Sequence, residues 1–197
     1  MRHSTQMIDT SISSDVGVFK VKGWLEPDIA ERDHIRGAPG APLRLLIYGD
    51  YECPYTRQAL VNVAQVREQL GDALVFAFRN FPLTEIHPHA FNAALAAEAA
   101  DFQGKFWEMH DLLFRRQGEL TDHDLVAHAA DIGLDGERFR ADFAARKGLT
   151  RIEADVESGI RSGVEGTPSI FMNGMPHDGA YDSTTLVAAL RSAMDSV

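Results

Sequence analysis

The stretch LRLLIYGDYECPYTRQALVNVAQVREQLGDALVFAF, residues 43–78, decides the fold. Leu43 to Tyr48 is a nearly unbroken apolar run, the pattern of a strand buried on both faces. The period then changes. Leu60, Val63, Val66 and Leu70 recur at three- and four-residue intervals, which predicts an amphipathic helix stopping at Gly71. Pro54 suits the first helical position, so Cys53 falls at the N-cap. Ala73 to Phe78 is a second buried strand. Strand, helix, strand in so short a span is a βαβ unit, and its two strands are expected to run parallel.

Upstream, residues 1–14 are polar and read as a flexible tail, followed by a short strand over Val16 to Val21. Residues 26–42 carry three prolines and two glycines and read as a loop with one helical turn near Asp28–Asp33. Downstream, Pro88 to Ser162 is helical in pattern. Phe91/Ala94/Leu95, Phe106/Met109/Leu113, Leu125/Val126/Ala129/Ile132 and Phe139/Phe143 form its apolar stripes, with glycines 104, 118, 133 and 148 between the pieces. Ser169 to Met172 and a return strand across Asn173–Gly174 predict a hairpin. A last helix carries Leu186, Val187, Leu190 and Met194, capped by Asp182 or Ser183. The expected fold class is α/β, a βαβ…ββα central sheet interrupted by helices. The expected divisions are 1–14 (tail), 15–85 (first part of the sheet domain), 86–148 (inserted helical subdomain) and 149–197 (second part).

Composition narrows the function. With 45% hydrophobic and 24% charged residues the 197-residue chain reads as globular, and its net charge of −10 argues against nucleic acid or an anionic membrane as partner. The first twenty residues contain no continuous apolar run, and the whole chain holds one cysteine, so no internal disulfide can form. Both features predict the reducing cytoplasm. The histidines at 87, 89, 110, 123 and 128 show no spacing that a metal site demands, so no metal is expected.

Cys53 is therefore the candidate reactive group. At a helix N-terminus, unpaired N–H groups and the helix dipole favour thiolate over thiol. Glu52, the adjacent negative charge, opposes that effect. The competing reading is a small buried apolar side chain, the commoner fate of a lone cysteine. Tyr51 and Tyr55 bracket the thiol; one is expected to pack and the other to line a binding groove.

The segments DHIRGAPGAPLRLLIYGDYECPYT, FRNFPLTEIHPHAFNAALAAEAA, GKFWEMHDLLF and VEGTPSIFMNGMPHDGAYD, in that order over residues 33–190, resemble the DsbA-like family of thioredoxin-fold thiol–disulfide oxidoreductases. The resemblance implies a thioredoxin-like fold with an inserted helical subdomain, and an attacking cysteine at Cys53. It also implies a cis-proline loop at Thr167–Pro168 facing that cysteine, with Pro54, Tyr55, Thr167 and Pro168 binding substrate. The family usually carries Cys-Pro-x-Cys; here Thr56 replaces the second cysteine. A dithiol cycle within one chain is thereby excluded. What remains is monothiol exchange: Cys53 attacks a disulfide, Thr56 offers its hydroxyl to the thiolate, and an external thiol such as glutathione resolves the adduct. The implied partners are protein or small-molecule disulfides and thiols, with no resident cofactor. Two alternatives stand beside it: a redox-inactive peptide- or protein-binding module, and a redox sensor in which Cys53 is glutathionylated or bridges a homodimer. The exchange reading expects a sulfur open to solvent and facing the proline loop.

Overall fold

The computed structural model describes residues 23–30 and 32–194. The tail at 1–14 and the strand expected over 16–21 lie outside the described residues. Element order is β1 (His34–Arg36), β2 (Leu43–Gly49), α1 (Pro54–Leu70), β3 (Leu74–Asn80), α2 (Ala90–Asp101), α3 (Phe106–Arg115), α4 (Asp122–Asp131), α5 (Gly136–Ala144), α6 (Leu149–Arg161), β4 (Ser169–Met172), β5 (Met175–His177) and α7 (Ser183–Met194). Among the described residues the strands form one sheet in the order β1-β3-β2-β4-β5. β2 and β3 are parallel, as a βαβ unit requires; the other neighbouring pairs are antiparallel.

The apolar runs of β2 and β3 are continuous because both sheet faces are covered. Leu45, Ile47, Phe76 and Phe78 join Ala59 and Val63 of α1, Leu186 and Leu190 of α7, and the inner faces of α2 and α3. Leu46, Tyr48 and Ala77 meet Phe81, Val164 and Phe171 on the other face. Gly159 lets α6 approach this second face: a Cβ there would lie 2.7 Å from the Phe81 ring. The hairpin turns at Asn173 and Gly174, both at positive φ (49° and 81°), as a tight two-residue turn requires. Asp182 caps α7 by accepting from Thr185 N–H at 3.0 Å.

One strand departs from the sequence reading. His34–Arg36 pairs antiparallel with Phe76–Phe78, inside the segment expected to be loop. Three residues between turns carry too little alternation to register as a strand. At the helical turn expected near Asp28–Asp33 the described residues show no helix, only a bond from Asp33 N–H to Ala30 O at 2.9 Å.

A buried polar chain ties β3 to α2 and α6. Arg79, wholly buried in β3, donates to both Asp33 oxygens at 2.8 and 2.9 Å and to Tyr48 Oη at 2.9 Å. Asp155 of α6 accepts from Asn80 N–H at 3.0 Å, and Asn80 Nδ2 donates to Glu98 of α2 at 2.7 Å. Burial pushes the Asp155 carboxyl up to about 6, reinforced by the Glu98 charge. Arg151, 2.9 Å from Asp155, opposes this but is partly exposed and shared with Asp33 at 3.5 Å. An aspartate in the unfolded chain titrates near about 3.9, so the folded state binds the Asp155 proton more tightly. Its contribution is then present in full below pH ~4 and is lost as pH rises through ~6. Asp155→Asn should flatten the stability profile between those limits in urea denaturation at stepped pH; an unchanged slope would show that Asp155 is ionised throughout.

Candidate active site around Cys53

Cys53 stands where β2 hands over to α1. It is the α1 N-cap, with extended dihedrals (φ −77°, ψ 118°) and Pro54 following it. Asp50, itself buried, shapes the approach. Its Oδ1 accepts from Glu52 N–H, while its Oδ2 accepts from Leu83 N–H and pairs with His87 Nδ1, each at 2.8 Å. Its carbonyl takes Cys53 N–H at 3.2 Å. From the helical insert, Gln117 Nε2 donates to the carbonyls of Tyr51 (2.9 Å) and Cys53 (2.8 Å). The cysteine backbone is thus held from both the sheet and the helices.

The sulfur faces the loop before β4. Cys53 Sγ donates to Thr167 O at 3.2 Å, and the Thr167–Pro168 peptide is cis. Two buried hydroxyls nearby in the fold, Thr167 Oγ1 and Tyr181 Oη, have no hydrogen-bond partner. Burial raises the Tyr181 phenol above its ordinary value, and Cys53 and Tyr55 add to the rise. A buried hydroxyl without a partner is costly.

The structure places the sequence-predicted residues unevenly. Pro54 and Tyr55 are exposed at the start of α1, Tyr55 by 46%. Tyr51 is packed away, its hydroxyl 3.1 Å from His110 Nδ1. Burial drives His110 well below the ordinary histidine range, with the Arg36 charge adding to it, so this imidazole is neutral near pH 7. Thr56 is fully buried and its hydroxyl accepts from Asp50 N–H at 3.4 Å; no hydrogen bond to Cys53 Sγ is described. Glu52 turns aside, its carboxylate accepting from His89 N–H at 2.7 Å. The expected open sulfur is corrected: Cys53 is only 3% exposed. A helix tip need not be a surface when a loop stands against it, as the Thr167–Pro168 loop does here. Asp50, Gln117 and Tyr181 escaped the sequence reading because each is distant in sequence or of a type common at surfaces.

Although the sequence predicts no metal, His34, Glu98 and Asp101 bring ligand atoms within 4.8 Å of one another. Nε2 of His34 takes Glu98 at 3.0 Å while Nδ1 faces Asp101 at 3.7 Å. His34 thus bridges the two carboxylates of α2, one at each ring nitrogen.

These features define a thioredoxin-type protein with a helical insert. A thioredoxin family model (Thioredoxin_4) matches residues 30–192, and the chain belongs to that family. Among curated proteins it is similar to the Na(+)/H(+) antiporter NhaA 1 of Salinispora arenicola, 46% identical over 179 residues that cover 90% of this chain and 26% of that protein. The chain spans about a quarter to a third of the length of the curated relatives it matches. Among solved structures, a thioredoxin-like oxidoreductase from Silicibacter pomeroyi superposes with TM-score 0.76 at 24% identity, covering 85% of this chain and 95% of that one. The thiol-disulfide exchange protein alpha-DsbA2 from Wolbachia pipientis gives 0.70 at 20% identity, covering 82% and 87%. At these identities the likeness carries the fold. No helix among the described residues is long and apolar enough to cross a membrane.

Proposed function

We propose that the protein is a monothiol thiol–disulfide exchange protein of the reducing cytoplasm, with Cys53 as nucleophile and a small thiol such as glutathione as resolving partner. One observation carries the reading: Cys53 Sγ sits at the N-cap of α1, 3.2 Å from the carbonyl before cis-Pro168. In the reaction Cys53 thiolate attacks one sulfur of a disulfide, and the other sulfur leaves as thiolate. A second thiolate then attacks the partner's sulfur in the mixed disulfide, which forms a new disulfide with that partner and releases Cys53 as thiolate. The backbone of Thr167 offers an edge for an extended substrate segment. Thr56 supports the N-cap loop through Asp50 N–H.

A second reading, a redox-inactive binding domain attached to or acting on a transporter, is favoured by the low exposure of Cys53 and by the antiporter relatives. One measurement separates them. Incubating the native protein with glutathione disulfide should give a single Cys53 adduct by intact mass, removed by reduced glutathione. Alkylation should also run faster in the native state than in urea. A native thiol that forms no adduct, and alkylates only after unfolding, would leave the binding domain as the function.

A further inference from the structure

We propose that the groove between α1 and α3 is a binding site for an organic carboxylate with an apolar body, separate from the thiol. The groove encloses about 560 Å³, within the range of small-molecule sites. Its floor is apolar: Leu60, Val61 and Ala64 from α1 and Phe114 from α3. Val61 is 57% exposed there, an apolar side chain with nothing over it among the described residues.

The rim is cationic in a chain whose net charge is −10. Arg36, Arg57 and Arg115 line the groove against a single carboxylate, Asp111. That carboxylate is already committed to Arg36 at 2.6 Å, and Arg36 is further fixed by lying 4.3 Å over the Trp107 ring. Arg57 and Arg115 have no ion pair among the described residues. Arg67 lines an adjoining recess with Arg36. Its guanidinium is pushed below the ordinary value by burial and then by the charge of Arg36, so cations crowd this spot. A carboxylate relieves that crowding, because a guanidinium fork takes its two oxygens together. The apolar floor selects against a bare inorganic anion, since Leu60, Val61 and Phe114 need a hydrocarbon or ring to cover them.

Decanoate and its neutral counterpart 1-decanol test this by titration calorimetry, with backbone amide shifts locating the ligand. Decanoate should bind saturably and move the amides of Arg57, Val61 and Arg115, while decanol binds at least about tenfold more weakly. Arg57→Gln/Arg115→Gln, at two exposed positions, should weaken decanoate by about tenfold and leave decanol unchanged. Cys53→Ala should bind decanoate as the parent does, which separates this site from thiol exchange. Equal binding of the two ligands by the parent protein, shifts centred elsewhere, or no saturable decanoate binding would each overturn the proposal, whatever the variants do.

Discussion

Asp33→Ala should lower the unfolding free energy by about 3–5 kcal/mol, because it strands a buried guanidinium. Asp33 and Arg79 side chains are both 0% exposed and joined by two hydrogen bonds of 2.8 and 2.9 Å. The remaining Arg79 partners, Pro27 O, Asp28 O and Tyr48 Oη, accept its protons without cancelling its charge. Burial by itself would raise the Asp33 carboxyl, but hydrogen bonding and charge from Arg79, with Ala30 N–H and Arg151, hold it below the ordinary value. A depressed carboxyl contributes stability above its unfolded pKa near ~3.9 and loses it as pH falls through the folded value. The deficit of the variant should therefore be largest near neutral pH and narrow in acid. Urea denaturation at pH 7 and in acid measures both parts. A loss under ~1 kcal/mol at pH 7 would mean the pair is solvated in solution. Adding Arg79→Met to Asp33→Ala should recover part of the loss, since no buried charge is then left alone.

That pair also marks how far the sequence could be read. The βαβ unit, the parallel pairing, the hairpin and the N-cap position of Cys53 were legible because each rests on local pattern: apolar runs, a change of period, and proline or glycine at a boundary. The sheet edge at His34–Arg36 was not, being three half-buried residues whose partner strand lies some forty residues on. Nor was the polar chain from Asp33 through Arg79 to Asp155 and Glu98. Charged residues in a sequence read as surface, and only three-dimensional pairing reveals which are buried. The same limit governs the site. The sequence indicates that a cysteine begins a helix after a buried strand, but not that Gln117 clasps its carbonyl or that the Thr167 carbonyl takes its thiol proton. Nor does it reveal that the sulfur is nearly closed off.

The closure of the sulfur makes Thr56 the decisive position. Thr56→Cys should turn a slow monothiol into a turnover catalyst of insulin reduction with dithiothreitol, raising the rate by at least about tenfold, because an intramolecular thiol acts at high effective concentration. Residues 53 and 56 stand three apart at the start of one helix, so their side chains share a face and can meet within disulfide reach. The site tolerates the exchange. Thr56 is fully buried, with Cγ2 packed in the crowded space beside Gly49, and a thiol is no bulkier than the branched side chain it replaces. The loss is the 3.4 Å bond from Asp50 N–H, long and worth about 1 kcal/mol or less, since sulfur is a weak acceptor. Thr56→Ser keeps a hydroxyl and adds no thiol, so it should show no gain; the difference between the two variants isolates the resolving step. The variant should also acquire a two-electron redox couple that the parent lacks. If the 53–56 disulfide forms and is reducible, yet insulin reduction stays at the parent rate, then the surface beside Thr167 does not admit a protein disulfide. Cys53 would then serve small thiols alone.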